Sequence, residues 1–235
     1  MRQSLLHWPL LKTLLLVPAL GLIVLLSLFG SKGWAAGPRA LDKVLLAAVQ
    51  HNDLARVKAF LREGANPDYR DAAGSSYTPL MYAAHAGDCY LARLLLGNKA
   101  GVNFLSEDLP HNQRALMLAA GSGSVDMLKI LLTRGATVNI RNNDGETTLM
   151  FVVNSASARL LIKHGADVNA KTEEFGDTVL MKAVEGGNVA VVRTLLSCGA
   201  RVNEKNKQGD TALKIAMIGK KLRIVRLLKR AGARE

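Results

Sequence analysis

Ile130-Leu131-Leu132-Thr133-Arg134-Gly135-Ala136-Thr137-Val138-Asn139 decides the fold, because the chain keeps returning to it. Leu160-Leu161-Ile162-Lys163-His164-Gly165-Ala166-Asp167-Val168-Asn169 repeats it, and Leu195-Leu196-Ser197-Cys198-Gly199-Ala200-Arg201-Val202-Asn203 repeats it again. The glycine position recurs at Gly64, Lys99, Gly135, Gly165, Gly199 and Gly232, with spacings of 35, 36, 30, 34 and 33 residues. A second phrase precedes each of the later copies: Thr78-Pro79-Leu80-Met81-Tyr82-Ala83-Ala84, then Ala115–Ala120, Thr147–Val153, Thr178–Val184 and Thr211–Ala216. Threonine before an apolar run caps a helix by accepting a backbone N–H. The Ala-Ala pair lets that short helix press on its neighbour. Leu and Val at i, i+3 and i+4 build a shared core in the following helix, and glycine ends it in the left-handed conformation. A unit this small cannot bury its apolar face alone, so the copies must stack.

The Thr-Pro-Leu-Met-Tyr-Ala-Ala phrase resembles the Thr-Pro-Leu-His-x-Ala-Ala signature of ankyrin repeats. Together with the Gly-Ala-x-Val-Asn phrase, the resemblance covers about 41–235. It implies an all-α solenoid of about six helix-turn-helix repeats with short β-hairpin fingers. The expected repeats are 41–70, 71–104, 105–142, 143–171, 172–206 and 207–235, forming one domain over 37–235. The end units differ from the rest. The first begins near Leu41-Asp42 without the Thr-Pro-Leu lead-in, and the last carries Lys214, Lys220 and Lys221 at interior positions.

Residues 1–36 read as a targeting segment. Thr13 to Ser31 carries no charge and is mostly Leu, Val and Ile, between Lys12 and Lys32. Pro18, Gly21, Gly30 and Ser31 interrupt the run, and Gly33-Trp34-Ala35 places small residues before Ala36. The length lies between a secretory core and a membrane span. It is a signal peptide cleaved near Ala35–Ala36, or an N-terminal membrane anchor. The array is expected outside the cytoplasm, periplasmic or secreted, and similar to the ankyrin proteins that bacteria export behind signal peptides.

The 235 residues carry 31 Lys+Arg against 19 Asp+Glu, a net charge of +12. That charge is uneven: residues 37–202 hold 18 basic and 16 acidic groups, and 203–235 hold 10 basic and 3 acidic. The basic end suits an anionic surface, either lipid or an acidic partner, through Lys220, Lys221, Arg223, Arg226, Lys229 and Arg230. It could equally be the charged outer face a terminal repeat needs for solubility. Specific nucleic-acid recognition is not expected, because the segment lacks interleaved aromatics.

The resemblance implies a concave inner-helix face. The position after the recurring methionine reads Tyr82, Leu118 and Phe151 in successive repeats, either an apolar binding row or packing between inner helices. Tyr77, Glu173, Glu174 and Phe175 fall on the fingers. Ser75-Ser76-Tyr77 and the stretch Phe104 to Arg114 lengthen two linkers, and loops on a rigid scaffold are natural recognition sites. Leu149 to Gly165 spans 16 residues where the other five units span 19, so nearly one helical turn is missing near Asn154-Ser155-Ala156. The deficit is either drift tolerated by a solenoid or a kink or notch in the outer face.

Met81, Met117, Met150 and Met181 stand where the family signature has histidine. A methionine row is adaptable core filler, or outside the cytoplasm a Cu(I) site or an oxidant sink. Cys89 and Cys198 lie three stacking steps of about 10 Å apart, beyond the reach of a disulfide. None of the five histidines stands at metal-ligand spacing with a carboxylate. Gly121-Ser122-Gly123-Ser124 follows a helix and reads as an inter-helix turn, not a phosphate loop. No strand-turn elbow exposes a nucleophile. The chain is expected to be no enzyme, to hold no cofactor or metal, to take no small-molecule substrate, and to bind another protein.

Overall fold

Three threonines start helices as their position dictates. The extended backbone of Thr78, Thr178 and Thr211 lets each Oγ1 accept the N–H three residues on, from Met81 (3.3 Å), Met181 (3.2 Å) and Lys214 (3.2 Å). The computed structural model describes residues 40–70, 77–105 and 113–234. The expected signal segment lies outside the described residues, as do 71–76 and 106–112, which make up most of the two lengthened linkers. Every described element falls within the unit Pro38–Glu235.

The described elements are helical pairs: α1 Ala40–Gln50 with α2 Leu54–Arg62, α3 Pro79–Ala86 with α4 Cys89–Gly97, and α5 Ala115–Ser122 with α6 Val125–Thr133. There follow a single 3₁₀ turn Thr148–Phe151 with α7 Ser155–Lys163, α8 Val179–Glu185 with α9 Val189–Ser197, and α10 Ala212–Ile218 with α11 Leu222–Arg230. First helices stack on first helices (α1, α3, α5, the 3₁₀ turn, α8, α10), and second helices from α4 to α11 likewise. The result is the expected two-layer all-helical solenoid. Among the described residues there is no strand; the fingers reduce to single antiparallel bridges at Arg141–Thr147, Lys171–Thr178 and Lys205–Thr211.

The leading leucines form the spine of the core. Leu45, Leu80, Leu116, Leu149, Leu180 and Leu213 are all 2% exposed or less. Each buried leucine contributes about 2–3 kcal/mol. Met81, Met117 and Met181 are equally buried, so these three serve as core filler. Met181 also takes over a capping task, its sulfur accepting the Thr178 N–H at 3.4 Å. Second helices open on Asp53, Asp88, Ser124, Asn154 and Asn188, each accepting from the third residue of its helix. Ser122 ends α5, Gly123 is the left-handed turn and Ser124 is the next cap, so the Gly-Ser-Gly-Ser stretch is an inter-helix turn.

The asparagine ending each Gly-Ala-x-Val-Asn phrase ties one repeat to the next. Asn139 Nδ2 donates to the Gly165 carbonyl (2.8 Å), and its Oδ1 accepts the Asp167 N–H (2.9 Å). Asn103, Asn169 and Asn203 make the same pair of bonds to the phrases that follow them. The first such junction differs. There Asp68 accepts the Gly101 N–H at 2.7 Å but, as a carboxylate, has nothing to donate. Burial pushes its carboxyl up, against the opposing effect of the Gly101 bond. Asp68→Asn is expected to stabilise the array by about 1 kcal/mol by completing the two-bond bridge. Because the folded-state value is raised, Asp68 contributes less stability as pH rises above its ordinary value of 3.8. The gain should therefore be larger at neutral than at acid pH in urea titrations.

Lys99 occupies the glycine position with φ 68°, a conformation that costs an L side chain about 1 kcal/mol. Lys99→Gly is expected to raise the urea midpoint, with the m-value unchanged.

In the fourth repeat the missing turn is taken from the first helix, not the outer face. After the 3₁₀ turn the chain runs extended through Val152 and Asn154 directly into α7. Neighbouring repeats satisfy this stretch: Asn154 Nδ2 donates to the Gly123 carbonyl (2.9 Å), and Asn188 Nδ2 donates to the Val153 carbonyl (2.6 Å). The buried hydroxyls of Thr147, Thr148 and Ser157 have no hydrogen-bond partner. Three such groups in one repeat mark it as the weak unit of the array.

Candidate partner-binding surfaces

The last three fingers are built as one block. Asn142 Oδ1 accepts the N–H groups of Asp144 (3.1 Å) and Glu146 (2.8 Å), closing the fourth finger, and Asn206 closes the sixth in the same way. In the fifth, Thr172 and Asp177 exchange two bonds of 2.9 Å. Successive fingers are then joined. Arg141 Nη1 bridges the Gly145 and Lys171 carbonyls, and Lys207 Nζ donates to the Glu173 carbonyl, all at 2.6 Å. Asn206 Nδ2 reaches Asp177 Oδ1 at 2.7 Å, and the Lys207 N–H donates to the Phe175 carbonyl at 2.9 Å. Lys171 pairs with Glu204 at 2.6 Å, and that ammonium, through hydrogen bond and charge, holds the Glu204 carboxyl below its usual range.

On this support Glu173, Glu174 and Phe175 stand exposed, Phe175 by 47%. A large apolar ring held out from a fixed backbone loses little freedom on binding. The block is also fastened to the helices. Lys182 of α8 meets Glu146 at 2.9 Å; burial lowers the Lys182 ammonium, but the bond and charge of Glu146, with Glu185 and Asp177, outweigh it and raise it.

The first-helix row is not continuous. Tyr82 and Phe151 are half-buried, but Leu118 between them is buried at 6% exposure and offers little to a partner. Tyr82 belongs to a different cluster. Tyr77 meets it edge-on at 5.5 Å, His85 lies 6.5 Å from the Tyr77 ring, and Gln50 Nε2 donates to the Tyr82 hydroxyl at 2.8 Å. Burial, then the neighbouring Tyr82, raises the Tyr77 hydroxyl.

The basic end divides in the same way. Lys220, Arg223, Arg226, Lys229 and Arg230 are exposed. Lys221 is not free: its ammonium donates to the Val184 carbonyl at 2.8 Å and to that of Glu185, at the C-terminus of α8, and it supplies no cap for α11. Sequence reasoning missed the apolar tip beside it. Met217, Ile218 and Leu222 are 47, 69 and 68% exposed. Met217 and Ile218 occupy the register of Ala84 and His85 in repeat two and of Ala120 and Gly121 in repeat three. Ile218, where the other units have Gln50, His85, Gly121, Asn154 and Glu185, was the signal.

Cys89 opens α4 and Cys198 caps α9; both are half-buried and unbridged. Among the described residues no three His, Cys, Asp or Glu side chains group as a metal site. No described helix is long and apolar enough to cross a membrane.

The model of three consecutive ankyrin repeats matches residues 45–142, 91–172 and 149–234, nearly the whole stack. This chain belongs to the ankyrin-repeat family. An ankyrin repeat protein of Fowlpox virus is 32% identical over 163 residues, covering 66% of this chain and 47% of the viral one. An ankyrin repeat-containing protein of Treponema pallidum is 32% identical over 134 residues, 56% of this chain and 44% of that protein. This ankyrin chain thus spans less than half the length of these relatives, and viral, nematode and bacterial proteins occur among them. The solved ankyrin repeat domain of Bcl-3, described as a member of the IkappaB protein family, is 30% identical with a TM-score of 0.68, covering 86% of this chain and 89% of that one. Ankyrin repeats generally serve as protein–protein interaction modules, and the family and its IkappaB-like neighbours are non-enzymatic.

Proposed function

We propose that this ankyrin array is an exported, non-enzymatic binding module that takes a partner protein across its fingers and first-helix face. The cross-braced block of fingers carries the proposal, because it holds Phe175 exposed beside Glu173 and Glu174. An aromatic anchor on a preorganised support, rimmed by charge, is how a small surface yields specific binding. The two carboxylates favour a partner with a basic contact patch. The Tyr77–Tyr82 cluster offers a second anchor at the other end of the array. Export rests on the apolar, uncharged run from Thr13 to Ser31, and mass spectrometry of the mature N-terminus distinguishes cleavage near Ala35–Ala36 from a retained anchor.

Proximity labelling in the compartment where the chain resides, followed by capture with purified array, tests the reading. Phe175→Ala should weaken capture with the melting temperature unchanged, and adding Tyr82→Ala and Phe151→Ala should abolish it in an array that circular dichroism shows still folded. Full retention of the partner would remove the fingers and first helices as the binding surface.

A further inference from the structure

Beyond partner binding at the fingers, we propose that the sixth repeat docks onto a lipid bilayer bearing anionic headgroups, with Ile218 and Leu222 entering the headgroup layer. Ile218 ends α10 and Leu222 begins α11, so the two flank the sharp turn in which Lys220 takes φ 51°. They are 69 and 68% exposed, the highest values among the large apolar residues described. Lys220 lies between them in sequence, and Arg223 and Arg226 follow on the exposed face of α11. No described carboxylate forms an ion pair with Lys220, Arg223, Arg226 or Arg230. The buried face of α11, Ile224 and Leu228, already packs into the array, which leaves Arg223 and Arg226 exposed to another surface.

Three considerations select lipid over other occupants. A repeat whose outer face only needs solubility is polar there, and does not leave Ile218 and Leu222 bare. A second copy would bring the same excess, 10 basic against 3 acidic residues over 203–235, against itself. An acidic protein would have to set an apolar pocket among its carboxylates, whereas an anionic bilayer presents both everywhere on its surface. Its headgroups attract Lys and Arg and its acyl boundary accepts apolar side chains.

Flotation of the full chain with phosphatidylcholine vesicles, with and without phosphatidylserine, tests this. The N-terminal apolar run is present in every variant, so any binding through it is a constant background. At low salt the wild type should partition at least about tenfold better into the anionic vesicles, and high salt should remove the difference. K220E/R223E/R226E should remove that preference, and Ile218→Ser with Leu222→Ser should reduce anionic-vesicle binding several-fold. All five positions are surface-exposed, and an unchanged urea midpoint verifies that each variant folds. Equal binding to both vesicle types overturns the proposal, as does insensitivity to the charge reversals. Indifference to the serine pair, together with equal affinity for soluble polyglutamate, would reassign the sixth repeat to an acidic protein.

Discussion

Gly145→Ala is expected to lower the unfolding free energy by about 3 kcal/mol, read as a shifted urea midpoint. Gly145 is buried in the fourth finger at φ +73°, and an added Cβ would land on the Glu173 backbone nitrogen and within 2.8 Å of its Cβ. The left-handed conformation costs alanine about 1 kcal/mol. Relieving the overlap costs about 1–3 kcal/mol more, because the obstacle is backbone and the fingers are cross-braced. Gly209 provides the control. It holds the same place in the sixth finger at φ +79°, with open space where a Cβ would go. Gly209→Ala should therefore cost only about 1 kcal/mol. Equal costs at the two sites would mean that the fourth and fifth fingers do not press together. Gly145→Ala should also weaken partner binding, since Glu173 is the residue displaced.

Leu161→Ala is expected to cost about 3 kcal/mol and to change the shape of the unfolding curve. Leu161 is fully buried in α7, and deleting its side chain leaves a cavity that a packed stack closes only in part. Its repeat has only a 3₁₀ turn for a first helix and three buried hydroxyls without partners. In a solenoid each unit is held by its neighbours alone. Weakening this one should separate α1–α6 from α8–α11, seen as two urea transitions or a reduced m-value by circular dichroism. Leu131→Ala, at an equally buried site in α6, should cost a similar amount and leave one transition. A single sharp transition for Leu161→Ala would show that the fourth repeat is as well coupled as the rest.

The spine of the fold was legible because it repeats. Leu45, Leu80, Leu116, Leu149, Leu180 and Leu213 share one register, and recurrence at about 33 residues makes burial a property of the position. Features that depend on the neighbouring repeat were not legible. The phrase-ending asparagines recur visibly, yet the groups Asn139 bonds lie 26 and 28 residues downstream, and only stacking brings them close. Leu118 shares its register with Tyr82 and Phe151, but its exposure is set by the units on either side. The three-residue deficit of the fourth repeat was countable, whereas its location was decided by where the chain could run extended, with Asn154 reaching back to the Gly123 carbonyl and Asn188 meeting that of Val153. Lys221 looked like one more surface cation until the end of α8 proved to lie beneath it.

Of the candidate surface, the exposed finger residues were named from sequence, but their rigidity was not. Phe175 matters because Lys207 and Asn206 of the next finger fix the loop that carries it. Hydrogen exchange of the array with and without its captured partner reads that surface directly. Slowed exchange centred on residues 171–177, extending to the braced finger at 205–210, is the predicted result. Unchanged exchange there, with protection confined to the second-helix layer, would contradict it.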